Sequence, residues 1–213
     1  MKIFIDLFAG LAGASSAVPD HKNWKAMRID NNPILLEHVP GLIMSDLNDV
    51  RSTWHIIRQL LNVHPNVDEI FLWMSPPCNE FSYAKGPDRP AFPSLELVQA
   101  CKIYVSLVES YSFEHGIKFN WLVENVKGAI PWFDQELNMP WHQRIGPMFL
   151  WGEAPYINFK DASDREHKKD FNKGSRLLRA NVRAMVPWAV SNALLFELEY
   201  QTSLEDFQAG TSE

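Results

Sequence analysis

Cysteine is scarce in this chain of 213 residues: Cys78 and Cys101 are the two it has. One sits in a proline-flanked loop and the other in an apolar helical run. Surroundings so different do not read as a pair, which excludes a disulfide-stapled scaffold. Long apolar runs are missing too. No stretch approaches the ~18 residues that cross a bilayer, so no membrane-spanning helix is expected. The opening Met1-Lys2-Ile3-Phe4-Ile5-Asp6 reaches an acid too soon for a secretory leader, and the expected setting is the cytoplasm. Basic residues are outnumbered, 20 Lys and Arg against 26 Asp and Glu, for a formal net charge of −6. Phosphate neutralisation supplies most non-specific nucleic-acid affinity, so indiscriminate coating is excluded and any such contact must be local. The histidines lack metal-ligand spacing with either cysteine or with one another, and no phosphate loop ending in lysine occurs. No metal is expected.

What is present reads as one α/β domain over residues 1–213. Short β-rich runs at 2–6, Trp24–Asp30, Leu42–Ser45, 68–74 and 117–123 alternate with helical spacing at 49–61 and at 94–113, the latter with Ser94 as a plausible N-cap. The first run feeds a small-residue loop, Phe8-Ala9-Gly10-Leu11-Ala12-Gly13-Ala14, that reads as strand, turn, helix. Such alternation predicts a doubly wound, mostly parallel sheet. After about residue 136 the rhythm changes. A Pro- and Trp-rich piece, a short strand at 147–151, a charged stretch from Lys160 to Arg183 and a helix from Pro187 to about Tyr200 follow. In the charged stretch eight basic residues face four acids.

Ligands of open α/β sheets bind beyond the carboxyl ends of the strands, and the unusual features of this sequence fall at such ends. Gly10 and Gly13 let backbone approach a ligand and open a helix whose N–H groups point at it. Packing alone would also explain them. Asp30, closing the second strand, suits ribose hydroxyls or is a solvated cap; Asp46 carries the same two readings. Ser75-Pro76-Pro77-Cys78-Asn79-Glu80-Phe81-Ser82 is more specific. A thiol held after two prolines at a strand end is placed for nucleophilic chemistry, whereas Cys101 has the setting of a structural cysteine. Glu124 and Asn125 end a strand of their own, and if that strand neighbours the one before Cys78 the two share a crevice.

These motifs resemble, in order and spacing, those of the DNA cytosine-5 methyltransferases: Asp6-Leu7-Phe8-Ala9-Gly10-Leu11-Ala12-Gly13 for the cofactor, Pro77-Cys78-Asn79-Glu80-Phe81-Ser82 for the nucleophile and Glu124-Asn125-Val126 for the base. The chain is especially similar to the compact, often phage- or prophage-associated members, and the likeness spans about residues 2–200. It implies the Rossmann-like fold of S-adenosylmethionine-dependent methyltransferases, a bacterial cytoplasm and, for phage or prophage DNA, protection from restriction. It further implies that Cys78 adds to carbon 6 of cytosine, that Glu124 holds the base edge, that Asn125 braces the loop and that Arg144, in Gln143-Arg144, belongs to the catalytic set. Asp6, Phe8, Ala9, Gly10, Gly13, Asp30, Asp46 and Pro76 would bind S-adenosyl-L-methionine. Ser82, Lys168, Lys169, Lys173, Arg176 and Arg179 would meet double-stranded DNA, whose target cytosine is flipped out. Ala12 stands where the family usually has glycine, and Asn79 where glutamine is common. The basic stretch at about 152–183 takes the place of a full target-recognition domain, so recognition is short, relaxed or supplied by a protein partner. Two alternatives share the sequence: a C5-methyltransferase acting on RNA or a free cytosine nucleotide, and a non-catalytic cofactor- or DNA-binding module that needs a partner.

Overall fold

The computed structural model describes residues 1–159 and 178–210. Seven strands form one sheet: β1 (Lys2–Leu7), β2 (Trp24–Asp30), β3 (Leu42–Met44), β4 (Glu69–Met74), β5 (Lys118–Val126), β6 (Gln143–Ile145) and β7 (Met148–Glu153), in the order β3-β2-β1-β4-β5-β7-β6. β1 to β5 run parallel, and β7 is antiparallel to both β5 and β6. The result is a mostly parallel mixed sheet, an arrangement consistent with a Rossmann-like fold. β1 has β2 on one side and β4 on the other, so the order reverses between β1 and β4. That reversal leaves a crevice at the carboxyl ends of those strands.

Alternation along the strands decides which helices cover which face. Ile3, Ile5, Met27, Ile70, Leu72, Trp121 and Val123 pack with α1 (Val50–Asn62), α2 (Glu96–His115) and α3 (Ile130–Glu136). Phe4, Phe71, Trp73, Leu122 and Leu150 pack on the other face with α5 (Trp188–Gly210), which follows a short α4 (Arg179–Ala184). Leu194, Leu195 and Leu198 of α5 are fully buried, each stabilising the fold by roughly 1.5–3 kcal/mol relative to exposure. α1 begins at Asp49, whose carboxylate accepts from Ser52 N and is held below the usual carboxylate range by that bond. α2 ends on Gly116, left-handed at φ 65°.

Four expectations differ from the structure. No helix opens after β1: residues 8–17 are turns, and a single 3-10 turn follows at Val18–Asp20. α2 starts two residues after Ser94, because Glu80 takes the Ser94 N–H and Ser94 Oγ only weakly accepts from Glu96 N at 3.4 Å. β5 does not stop before Glu124. It runs to Val126 because β7 pairs with its last residues, Glu124 with Leu150 and Asn125 with Phe149. β6 was not anticipated, being three residues long. No helix among the described residues is long and apolar enough to cross a membrane.

Candidate active site

The loop after β1 is held in an unusual backbone. Phe8, Gly10 and Ala12 are left-handed at φ 59°, 52° and 57°. Glycine adopts this freely, but Phe8 and Ala12 carry about 1–2 kcal/mol of strain each, which only surrounding contacts can hold in place. Several such contacts are visible. Asp30, the last residue of β2, accepts Gly10 N on one carboxyl oxygen and Asn32 N on the other, each at 2.9 Å. Ala9 N donates to Ile29 O. From below, Asp6 accepts from Ser15 Oγ at 2.7 Å, and Arg28 in turn donates to Ser15.

Asp6 was expected among the cofactor-binding residues. It is 1% exposed, so its carboxyl supports the loop and does not open on the crevice. Burial pushes it up to about 7, against the opposing Ser15 bond and Arg28 charge. The folded protein therefore holds a proton there that the unfolded chain releases near pH 4. That stabilisation is complete below the unfolded value and is lost as pH rises through about 7. Asp6→Asn, which keeps an oxygen for Ser15, is expected to flatten this decline and to raise stability at pH 8 by about 1–3 kcal/mol. Urea unfolding at pH 5 and pH 8 measures it. An unchanged difference between the two pH values would refute the assignment.

Gly13, another expected ligand contact, has a packing reason. A Cβ there would lie 2.5 Å from Val186 O. Ala9 and Pro76 are likewise buried behind the loops they belong to. Phe8, Gly10 and Asp30 are partly exposed and Asp46, just past β3, is exposed, so of the expected cofactor-binding residues these are the ones that solvent can reach.

The thiol comes from the other side of the strand reversal. Ser75 N donates to Leu7 O, and Pro76-Pro77 carry the chain to Cys78, whose carbonyl accepts from Phe81 N and Ser82 N. A helical turn thus fixes Cys78 and places Ser82, partly buried, on its last residue. Asn125, buried on β5, donates Nδ2 to Pro76 O at 2.9 Å and accepts Val126 N. Gly128 lets the following 3-10 turn meet Phe81, since a Cβ there would be 1.9 Å from Phe81 O. β4 and β5 thereby bring their loops together.

Cys78 is partly buried and Cys101 wholly so, both as free thiols. Burial raises both, and for Cys78 the nearby Glu124 carboxylate adds to the rise. Cys78 therefore rests as a thiol. Glu124 is itself pushed up to about 7 by burial, against a hydrogen bond from Ser75. A proton on Glu124 and a thiolate on Cys78 are therefore compatible, while two charges are not. Sequence reasoning quoted Ser75 and gave it no role; its place immediately before Pro-Pro-Cys was the available signal.

Arg144 is not brought to this pair. It faces Phe149, which faces Asn125, so alternation puts it on the sheet face opposite Glu124. There it is exposed, donating to Gly146 O and lying 5.5 Å from the Phe149 ring. Its neighbour Gln143 is buried and exchanges two hydrogen bonds with Ile157. Lys168, Lys169, Lys173 and Arg176 lie outside the described residues, and Arg179 opens α4. Two shallow depressions lined by His21 lie beside the start of β2, at the other end of the sheet, and none of the candidate residues lines them.

The crevice therefore offers a thiol, a carboxyl able to hold a proton at neutrality and two accessible acids beside a strained loop. No family model matches the chain and no curated protein matches it, so the site has to be read from its own chemistry.

Proposed function

We propose that the chain is an S-adenosylmethionine-dependent methyltransferase that acts on carbon 5 of cytosine in DNA through covalent catalysis by Cys78. The observation that carries this reading is the convergence of Cys78 and Glu124 from adjacent strands, close enough for the Glu124 charge to act on the thiol. A carboxyl that keeps its proton near pH 7 can donate to the ring nitrogen of a base. A thiolate can then add to carbon 6, because the electron pair displaced from the ring is received on the protonated side. Carbon 5 becomes nucleophilic. After methyl transfer, loss of the carbon 5 proton and cleavage of the sulfur–carbon 6 bond restore the cysteine.

The residues that solvent reaches around the first loop fit the donor. Asp30 spends one lone pair of each oxygen on backbone N–H groups and keeps the others for ribose hydroxyls. Asp46 stands beyond the next strand for a polar ring edge, and Phe8 supplies an apolar surface. When bound, S-adenosylmethionine supplies an electrophilic methyl group. The chain's own part is to hold Cys78 and Glu124 on either side of the base, with Asn125 fixing the Pro76 carbonyl.

Incubation with labelled S-adenosylmethionine and, separately, duplex DNA, tRNA and dCMP tests this. 5-Methylcytosine from the duplex is the expected product. Label in tRNA or dCMP alone would move the substrate, and no label in any of them would refute the activity.

A further inference from the structure

We infer that Trp73, Ser75 and Glu124 form a hydrogen-bond relay that fixes which carboxyl oxygen of Glu124 carries its proton, which makes Ser75 a positioning residue of the site. The inference deepens the reading of Glu124 as the group that holds the base edge, and rests on it. Strand register brings the three together. Trp73 pairs with Leu122 and Met74 with Val123, so Ser75 comes alongside Glu124, and alternation puts Trp73, Ser75 and Glu124 on one face of the sheet.

An indole N–H can only donate. Trp73, fully buried, donates its Nε1–H to Ser75 Oγ at 2.7 Å. That bond occupies a lone pair of the hydroxyl and leaves the hydroxyl's own hydrogen to be given away. The strand register sets the Glu124 carboxyl beside it to receive that hydrogen. An oxygen that accepts from Ser75 cannot also turn a hydrogen of its own toward Ser75. When Glu124 is protonated, the proton therefore sits on its other oxygen, where it can be donated to a base. Without the indole the hydroxyl could reverse and accept from the carboxyl, and the proton would then be taken by the wrong partner. The titratable group facing this carboxyl from the β4 loop is Cys78.

The relay is tested first in the unmodified protein. The Glu124 carboxyl, in protein labelled with ¹³C-glutamate, and the Trp73 indole N–H, assigned through its contacts with Ser75, are followed by NMR across pH. Both are expected to move with a single midpoint. In Ser75→Ala the indole should stop following, and the carboxyl midpoint should rise by about one pH unit, since a donor to the charged form is lost. Ser75→Thr should restore both. An indole signal that stays flat through the Glu124 titration, or an unmoved midpoint in Ser75→Ala, overturns the relay. Methyl transfer is read separately. A relay that titrates as expected in a protein transferring no methyl group to any cytosine substrate would overturn the proposed function and leave the relay standing. A pH profile of transfer unchanged by Ser75→Ala would overturn the positioning role.

Discussion

Cys78→Ala is expected to lower methyl transfer by about 10⁴-fold or more while S-adenosylmethionine binding stays within about twofold, because the proposed route runs through a bond to its sulfur and only residual binding effects would remain. Cys78→Ser should do no better. A hydroxyl in this half-buried place, beside a carboxylate, is far harder to ionise than the thiol that burial and Glu124 already raise. A cytosine carrying fluorine at carbon 5 sharpens the test. Elimination requires that the atom on carbon 5 leave as a cation, which hydrogen does and fluorine does not, so the Cys78–carbon 6 bond persists. The wild-type protein is expected to form a mass-shifted adduct with fluorinated DNA in the presence of the methyl donor, and Cys78→Ala none. Turnover preserved in Cys78→Ala, or an adduct on another residue, would remove Cys78 from the reaction.

Gly128→Ala is expected to cost about 3 kcal/mol or more of stability. The added Cβ would fall 1.9 Å from Phe81 O and 3.0 Å from Phe81 C, both backbone atoms that cannot rotate aside. Phe81 N is bonded to Cys78 O, so any relief by moving Phe81 carries Cys78 with it. Loss of transfer should exceed what the fraction unfolded explains. Gly116→Ala separates space from conformation. Nothing lies within 4 Å of its Cβ, and only the left-handed φ of 65° opposes it, so about 1–2 kcal/mol is expected. Urea midpoints of the two variants with equal shifts would show that the Phe81 approach is not the constraint.

The strands were legible because their side chains alternate or run apolar throughout. β2 occupies Trp24–Asp30 as read, β1, β3 and β4 differ by one residue at an end, and β5 runs three residues further. What failed was whatever depends on a distant partner. Phe8 to Ala14 has the composition of a helix-opening turn, yet Asp30 and Val186 hold it as consecutive turns, and neither contact is written in the loop. Glu124 looked like a strand end because the apolar run stops at Val123. β7, whose Leu150 pairs with Glu124 from 26 residues further on, carries the pairing past it. The motif around Cys78 was plain in the sequence, but the reason Gly128 follows Glu124 at that distance was not, since it is the carbonyl of Phe81. Gln143-Arg144 shows the converse. A charged residue next to a motif fragment lies on the far face once a three-residue strand fixes its direction.

The loop after β1 has a consequence for the order in which the molecule can mature. Gly13 rests against Val186, Ser191 Oγ donates to Ala14 O at 2.6 Å and accepts from Ala17 N, and His21 meets Glu199. The segment from 8 to 21 depends on residues synthesised 174 to 178 positions later. Closing contacts across so much chain is slow, and an emerging protein gains them only when α5 has left the ribosome. The parallel strands can assemble beforehand, and Asp30 and Ile29 of β2 then hold the loop from one side, while its contacts at Gly13, Ala14 and Ala17 wait for Val186 and α5. The loop after β1 thus reaches its full set of contacts late in folding, after the sheet that carries it.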